Sequence, residues 1–496
     1  MVNSRAAQGL AAIAAASLLA SCSAGSTASE VGRVQGAGLV VGTSGAPASL
    51  DFTTTGGAAI PQALMSNVYE TLVRIDENGE PAPHLAQDIA INDDRTSYTF
   101  HLREGVRFSN GEPFNAESVK FSIEYVQNEW TNGLSSQMDP VSSVDVLDEY
   151  TVQVNLEHPS NRWLWSMGTL TGAMMTPAGV DTLASDPIGT GPYTVKRFSV
   201  GESISYTARE DYWGTPANQD AAIRYFSDSV ATVNALRAGD VDVVWALQAP
   251  ELLDSLPEEY GVHVGSTNGE VVFSMNNNAA PFDDPAVRQA AAYAIDRDAL
   301  NQVVWEGMAT NTGGAPVPPT DPWYTGRDYY PFDPQRAEAL LTGRTPEVTI
   351  SVPSLPYAQT AAELIFSQLT QVGFKVTLET VEFPAVWLGQ VMSQHDYQAS
   401  IISHVEPRDI PALFGNPDYY LGYDSPELRE DLQLADQGDL SDETTRMISA
   451  VDTIMADAGA LTLANSPNVV LTAPGVTGIE ANVITDALPL AGVKKQ

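Results

Sequence analysis

Residues 273–297 read FSMNNNAAPFDDPAVRQAAAYAIDR, and this stretch decides the fold. Val271, Phe273 and Met275 alternate with Val272 and Ser274, the period of a half-buried strand. Asn276, Asn277 and Asn278 then supply amides that can close a turn, bond the backbone or reach a ligand. Asp284 can cap a helix, Pro285 suits its first position, and the alanine-rich run after it favours helix. A strand, a crossing and the first helix of a second lobe follow in order.

Outward from the crossing, the pattern is α/β on both sides. Val348–Val352 reads as a strand, Ala358–Val372 as a helix with Ala361, Ile365, Leu369 and Val372 on one face, and Phe374 onward as a second strand. On the other side, the Leu39–Thr43 run LVVGT reads as a strand. Tyr98, Phe100 and Leu102 alternate as another, and Val119, Ile123 and Val126 share a helical face within residues 115–127. Ser66–Ile75 reads as helix passing into strand, Asp76–Gly79 as a hairpin turn, and Val230–Ala238 as a helix stopped by Gly239 before the strand VDVVWA at 241–246. Ligands gather beyond the carboxyl ends of strands in open α/β sheets, which places Trp245 and Gln248 toward a cleft, Trp245 as a stacking face or as a packed core residue.

Composition narrows the function. A chain of 496 residues is too long for one core. Its 62 acidic and 24 basic residues give a net charge of −38, which repels nucleic acid. No G-x-S-x-G elbow or H-E-x-x-H helix is present, so no enzyme chemistry is expected, and no cofactor either. The glycines of PIGTGPYTV at 187–195 lack the spacing and lysine of a phosphate loop. His395, Asp396, His404 and Glu406 lie close in sequence, but their spacing fits no zinc pattern and no metal is expected. At the start, Arg5 precedes an apolar run, Leu10–Ala20, too short to be an ordinary spanning helix, which reads as a signal peptide.

Six pieces in order resemble the extracytoplasmic solute-binding proteins of ABC importers, family 5. They are YETLV at 69–73, TFHLREGVRFSNGEPFNAESVKFSIE at 99–124, PIGTGPYTV at 187–195, EDYWG at 210–214, the crossing above, and FDPQRAEALL at 332–341. The resemblance implies a type II periplasmic-binding-protein fold of two α/β lobes joined by a two-segment hinge, with an extra subdomain inserted in the first lobe. The expected division is a signal peptide and lipobox over 1–22, a flexible tether over 23–37, lobe I over 38–277 plus 469–496 with the insert at about 68–175, and lobe II over 278–468. Cys22, the only cysteine, ends a stretch that looks like a lipobox and would carry two acyl chains, enough to anchor the protein on the outer face of the cell membrane.

For the site, the resemblance points to Asp51, which lines the cleft or closes a turn, and to SIISHVEPRD at 400–409. Peptide-binding relatives carry Trp-x-x-Asp-x-x-(Asp/Glu)-Pro there. Aligned on Glu406-Pro407, this chain has Ser400 for the Trp and Ser403 for the Asp that pairs with the ligand ammonium. Either Glu406 or Asp409 takes over that ammonium or the ligand is not an ordinary peptide, because a buried charge without a partner is costly. The candidate binding residues are therefore Asp51, Trp245, Gln248, Asn276, Ser403, His404, Glu406, Arg408 and Asp409, with a salt-bridged loop as the alternative for the last group. The expected protein is a monomeric, lipid-anchored receptor that hands a peptide or peptide-like solute to permease subunits. The alternatives are a binder of a glycoside or other polar metabolite, and a non-transport envelope lipoprotein.

Overall fold

The computed structural model describes residues 33–76 and 79–495; Cys22, the leader and the tether as far as residue 32 lie outside the described residues. Strand β1 (Leu39–Thr43) is buried along its whole length, as a continuous apolar run should be when both faces of a sheet are covered. Next comes the inserted four-stranded antiparallel sheet, β2 (Ala86–Ile91), β3 (Ser97–Leu102), β4 (Val141–Asp148) and β5 (Thr151–Leu156), in the order β2-β3-β5-β4. Helix α1 (Ala116–Glu129) covers it, with Val119, Ile123 and Val126 inward and Asn115 capping its first turn through the N–H groups of Glu117 and Ser118. A short helix, α2 (Asn161–Ser166), closes the insert.

The chain re-enters the first lobe through β6 (Tyr193–Ser199), β7 (Ser203–Ala208) and β8 (Ala221–Tyr225), then α3 (Ser229–Ala238) and the short β9 (Val243–Val244). The glycines ahead of β6 are there for a close crossing of chains. A Cβ on Gly189 would stand 2.0 Å from the Val68 carbonyl oxygen, and Gly191 N–H donates to that same oxygen at 2.9 Å. Two sequence expectations shift here. The helix expected to start at Ser66 is Ala59–Leu64, because Ser66 takes φ +63° and breaks it, and the strand read to Ala246 ends early because Ala246 takes φ +55°.

Two long strands tie the lobes together. Strand β10 (Gly261–Met275) lies antiparallel to β14 (Leu461–Thr472), with a register shift between Ser266 and Glu270. Between them in sequence come α4 (Pro285–Ala294), capped by Asp284 through Ala286 N–H as its Asp-Pro start requires, and the parallel unit β11 (Glu347–Pro353), α5 (Pro356–Gln371), β12 (Lys375–Val381). Strand β13 (Ala399–His404) and helices α6 (Pro426–Gln437) and α7 (Glu443–Ala456) complete the second lobe. The result is one ten-stranded sheet, β12-β11-β13-β10-β14-β9-β1-β8-β7-β6, that runs through both lobes. Val271, Phe273 and Met275 pack in the core of the second lobe, while Val470 and the C-terminal Leu488, Leu490 and Val493 pack in that of the first. We therefore place the first crossing at the Ser266–Glu270 shift, earlier than residue 277. With both connections in β10 and β14, bending there moves the lobes without unpacking either core.

Candidate functional site

The lobes are closed on one another. Ser160 Oγ and Asn161 Nδ2 at the start of α2 donate to Asp436 Oδ1 (2.8 Å) and the Ala435 carbonyl (2.7 Å) on α6. Two adjoining cavities lie between them. One, about 580 Å³, is lined from the first lobe by Tyr69, Glu70, Arg74, His84 and Trp165 and from the second by Val405, Glu406 and Pro407. The other, about 860 Å³, lies against the hinge at Thr267–Gly269 and is lined by Trp245, Gln248, Trp305, Tyr357 and Ser403. Ala58, Val405 and Asp486 border both, so the two cavities adjoin.

Antiparallel register decides which residues of β13 reach that space. Ser403 lies opposite Val271, and both line the hinge-side cavity; Ser403 N–H donates to Tyr357 Oη at 3.0 Å. Ser400 and His404 project from the opposite face, into the second lobe. Ser400 Oγ accepts from Trp387 Nε1 (2.9 Å) and donates to the Ser351 carbonyl (2.6 Å), and His404 Nε2 lies 2.8 Å from Tyr420 Oη. Burial pushes the His404 imidazole down to about 4, so it is neutral near pH 7.

Of the residues singled out in the sequence, Trp245, Gln248, Ser403 and Glu406 meet in the cleft. Asp51 does not: its Oδ1 accepts from Thr53 N–H (3.0 Å) and Oγ1 (2.6 Å), closing a turn. Asn276 is held inside the second lobe, where Nδ2 donates to the His395 (3.2 Å) and Tyr397 (3.0 Å) carbonyls and Oδ1 accepts from Asn278 N–H. Arg408 turns away from both cavities toward Trp165 and Trp323. Asp409 sits beside Glu406, and burial, then Glu406 and Asp321, hold its carboxyl well above the usual range. Among the described residues, His404, Glu406 and Asp409 bring one ligand atom each within 4.8 Å of one another, the one group with the spacing to hold a metal ion; His395 and Asp396 are not part of it.

Two acidic residues that the sequence did not flag matter more. Asp486, on the C-terminal segment that returns to the first lobe, is pushed up to about 7 by burial and then by Glu406. Among the described residues it is the one acidic residue that lines both cavities. Glu70, from the YETLV piece, is raised by burial and fully engaged: it accepts from Tyr212 Oη (2.7 Å), Trp213 Nε1 (2.9 Å) and Thr190 Oγ1 (2.8 Å). A charged residue inside an apolar run was a visible signal for Glu70. Asp486 had none, since only the folded return of the C-terminus brings it to the cleft.

Comparison with known proteins agrees with this architecture. The profile of the bacterial extracellular solute-binding proteins, family 5 (middle), matches residues 80–419. Heme-binding protein A of Haemophilus influenzae is 29% identical over 368 residues, covering 65% of this chain and 66% of that protein. Glutathione-binding protein GsiB of Salmonella typhi is 27% identical over 345 residues, 65% of each. The chain thus matches just under two thirds of the length of these relatives. Among solved structures, the ABC transporter-associated periplasmic binding protein DppA of Helicobacter pylori, in complex with the peptide STSA, superposes with a TM-score of 0.77 at 24% identity, covering 92% of this chain and 97% of that one. A dipeptide-binding protein from Pseudoalteromonas in complex with Met-Leu gives 0.79 at 21% identity, with 92% and 100% covered.

Proposed function

The chain belongs to the bacterial extracellular solute-binding proteins of family 5, and from that premise we propose that it captures a peptide or peptide-like solute by its cationic amine and delivers it to the permease of an ABC importer. The observation that carries the reading is a pair of acidic side chains, Glu406 from the second lobe and Asp486 from the first, lining one cavity. Closing the lobes brings the exposed Glu406 up to the half-buried Asp486, and this repulsion opposes closure while the cleft is empty. A solute ammonium placed between them reverses the sign of that interaction, so the cation itself drives the lobes shut. In this reading Asp486 and Glu406 do the work of the anion missing at Ser403. Trp165 and Tyr69 in one cavity, with Trp245 and Tyr357 in the other, give the rest of the solute apolar and aromatic walls. The glutathione- and dipeptide-binding relatives support a peptide-like cargo. Cys22 then tethers the receptor to the membrane beside its permease.

Calorimetry with a dipeptide panel and the matching N-acetylated dipeptides tests this. Free-amine members are expected to bind and the acetylated forms to lose about 100-fold, the cost of leaving a buried charge unpaired. Equal binding of both forms would remove the amine from the reading. Loss of palmitate labelling in Cys22→Ala is the expected result for the anchor.

A further inference from the structure

We infer that Arg408 is the latch that holds the two lobes closed, seated in a slot built half by each lobe. Its guanidinium lies between two indoles, 4.5 Å from the ring centre of Trp165 in the first lobe and 4.9 Å from that of Trp323 in the second. Nη2 crosses the boundary to donate to the Gly79 carbonyl at 2.9 Å, the same oxygen that accepts from Trp165 Nε1 at 3.0 Å. Asp321, itself buried in the second lobe, stands 3.8 Å from Nε. The arginine side chain is only 11% exposed although it sits on a loop. Its backbone takes φ +53°, a left-handed conformation that a bulky residue adopts when its side chain is held elsewhere. Gly79 fits against the same place: a Cβ on it would lie 3.6 Å from Arg408 Nη2 and 3.4 Å from the Thr320 carbonyl.

The position of the slot couples it to the solute. Val405, Glu406 and Pro407 line the cleft and Arg408 follows directly, so whatever orders the first three sets the fourth. Trp165 works from the other side, lining the cavity while it also stacks on Arg408. Only in the closed arrangement do Trp165, Gly79 and Trp323 surround the guanidinium together. Opening the hinge exchanges the Trp165 face and one charge-assisted hydrogen bond for water, while Trp323 stays with Arg408 in the second lobe. Arg408 is therefore a positioning residue for closure and touches no solute.

The test needs no solute, which separates it from the amine reading. Single-molecule energy transfer between dyes at Asp93→Cys and Glu379→Cys, in the full chain carrying Cys22→Ser, reads the open and closed populations directly. Arg408→Ala is expected to shift the ratio about tenfold toward open, the scale of a desolvated cation stacked on aromatic rings. Trp165→Leu is expected to do the same, and the double variant to go little further, since both empty one slot. Arg408→Lys, which keeps the charge and guards against a folding failure of the alanine variant, is expected to open the lobes at least about threefold, because an ammonium cannot fill a planar slot. Unchanged populations in Arg408→Lys, or strictly additive shifts of Arg408→Ala and Trp165→Leu, would overturn the latch.

Discussion

If Asp486 receives a solute amine, affinity must follow the ionisation of both partners. The carboxyl, pushed up to about 7 by burial and by Glu406, binds an ammonium only in its charged form. A dipeptide α-amine, with an ordinary pKa of about 7.8, binds only while protonated. Multiplying the two fractions gives a bell with its maximum near pH 7.4, where about half of the encounters are competent. Affinity is then about sixfold lower at pH 6 and about ninefold lower at pH 9. Asp486→Asn should abolish the acid arm while keeping the alkaline one, and weaken binding by about 10- to 100-fold through loss of a charge-assisted hydrogen bond. Glu406→Gln should move the acid arm to lower pH, because Glu406 is the charge that helps raise Asp486. Isothermal titration from pH 5.5 to 9.5, repeated in buffers of different ionisation enthalpy, measures both affinity and proton release. An acid arm that survives in Asp486→Asn would refute the assignment of this carboxyl.

Glu270 is 2% exposed, and neither of its carboxylate oxygens has a hydrogen-bond partner among the described residues. Burial, then Asp409 and Asp321, raise its pKa well above the usual range, so its stabilising contribution is full at acid pH and is lost as pH rises through the folded value. Glu270→Gln cannot ionise and is expected to gain on the wild type with rising pH, by about 1–3 kcal/mol at pH 9, and urea unfolding that gave a constant difference from pH 6 to 9 would contradict this. Gly189→Ala is expected to cost about 2–3 kcal/mol in the same assay, because the new methyl would meet the Val68 backbone at 2.0 Å and neither chain can step aside. Asn276→Ala is expected to cost about 2 kcal/mol by orphaning the His395 and Tyr397 carbonyls and the Asn278 N–H, with solute affinity unchanged; a weakened affinity at unchanged stability would return Asn276 to the binding site.

Local chemistry made much of the fold legible. Asp284-Pro285 ahead of an alanine-rich run starts α4, and the alternation of Tyr98, Phe100 and Leu102 matches a strand with one buried face. The unit β11–α5–β12 followed from the change of period between its three segments. The errors came where backbone geometry overrides pattern. Nothing in SNVYE announces that Ser66 takes a positive φ, and nothing in VDVVWA announces the same of Ala246. Where β10 crosses between lobes had a signal that periodicity alone does not read. The polar run STNGE at 266–270 interrupts the strand, and packing shows that Val271, Phe273 and Met275 beyond it belong to the second core.

The site was less legible because a strand sorts its side chains by parity, and a motif does not record which face is wet. Ser400 and Ser403 look equivalent as departures from Trp-x-x-Asp, yet three residues apart on β13 they point to opposite faces. Only Ser403 lines the cavity, while Ser400 is buried with its hydroxyl engaged by Trp387 and Ser351. The lost aromatic therefore leaves no gap in the cleft, whereas position 403 puts a neutral hydroxyl there. In the proposed reading the charge is supplied from the loop that follows, through Glu406, and from a segment more than eighty residues onward, through Asp486. The same loop turns Arg408 into the interlobe slot, so the residue proposed to meet the cation and the residue proposed to hold the lobes are two positions apart on one segment. If ligand recognition and closure share that segment, substitutions at Pro407, which joins them, should alter solute release without touching either charge. Dissociation of a bound dipeptide from Pro407→Gly, followed by stopped-flow tryptophan fluorescence, is expected to be faster than from the wild type at an association rate within about twofold, because a flexible joint lets Glu406 move without unseating Arg408 first.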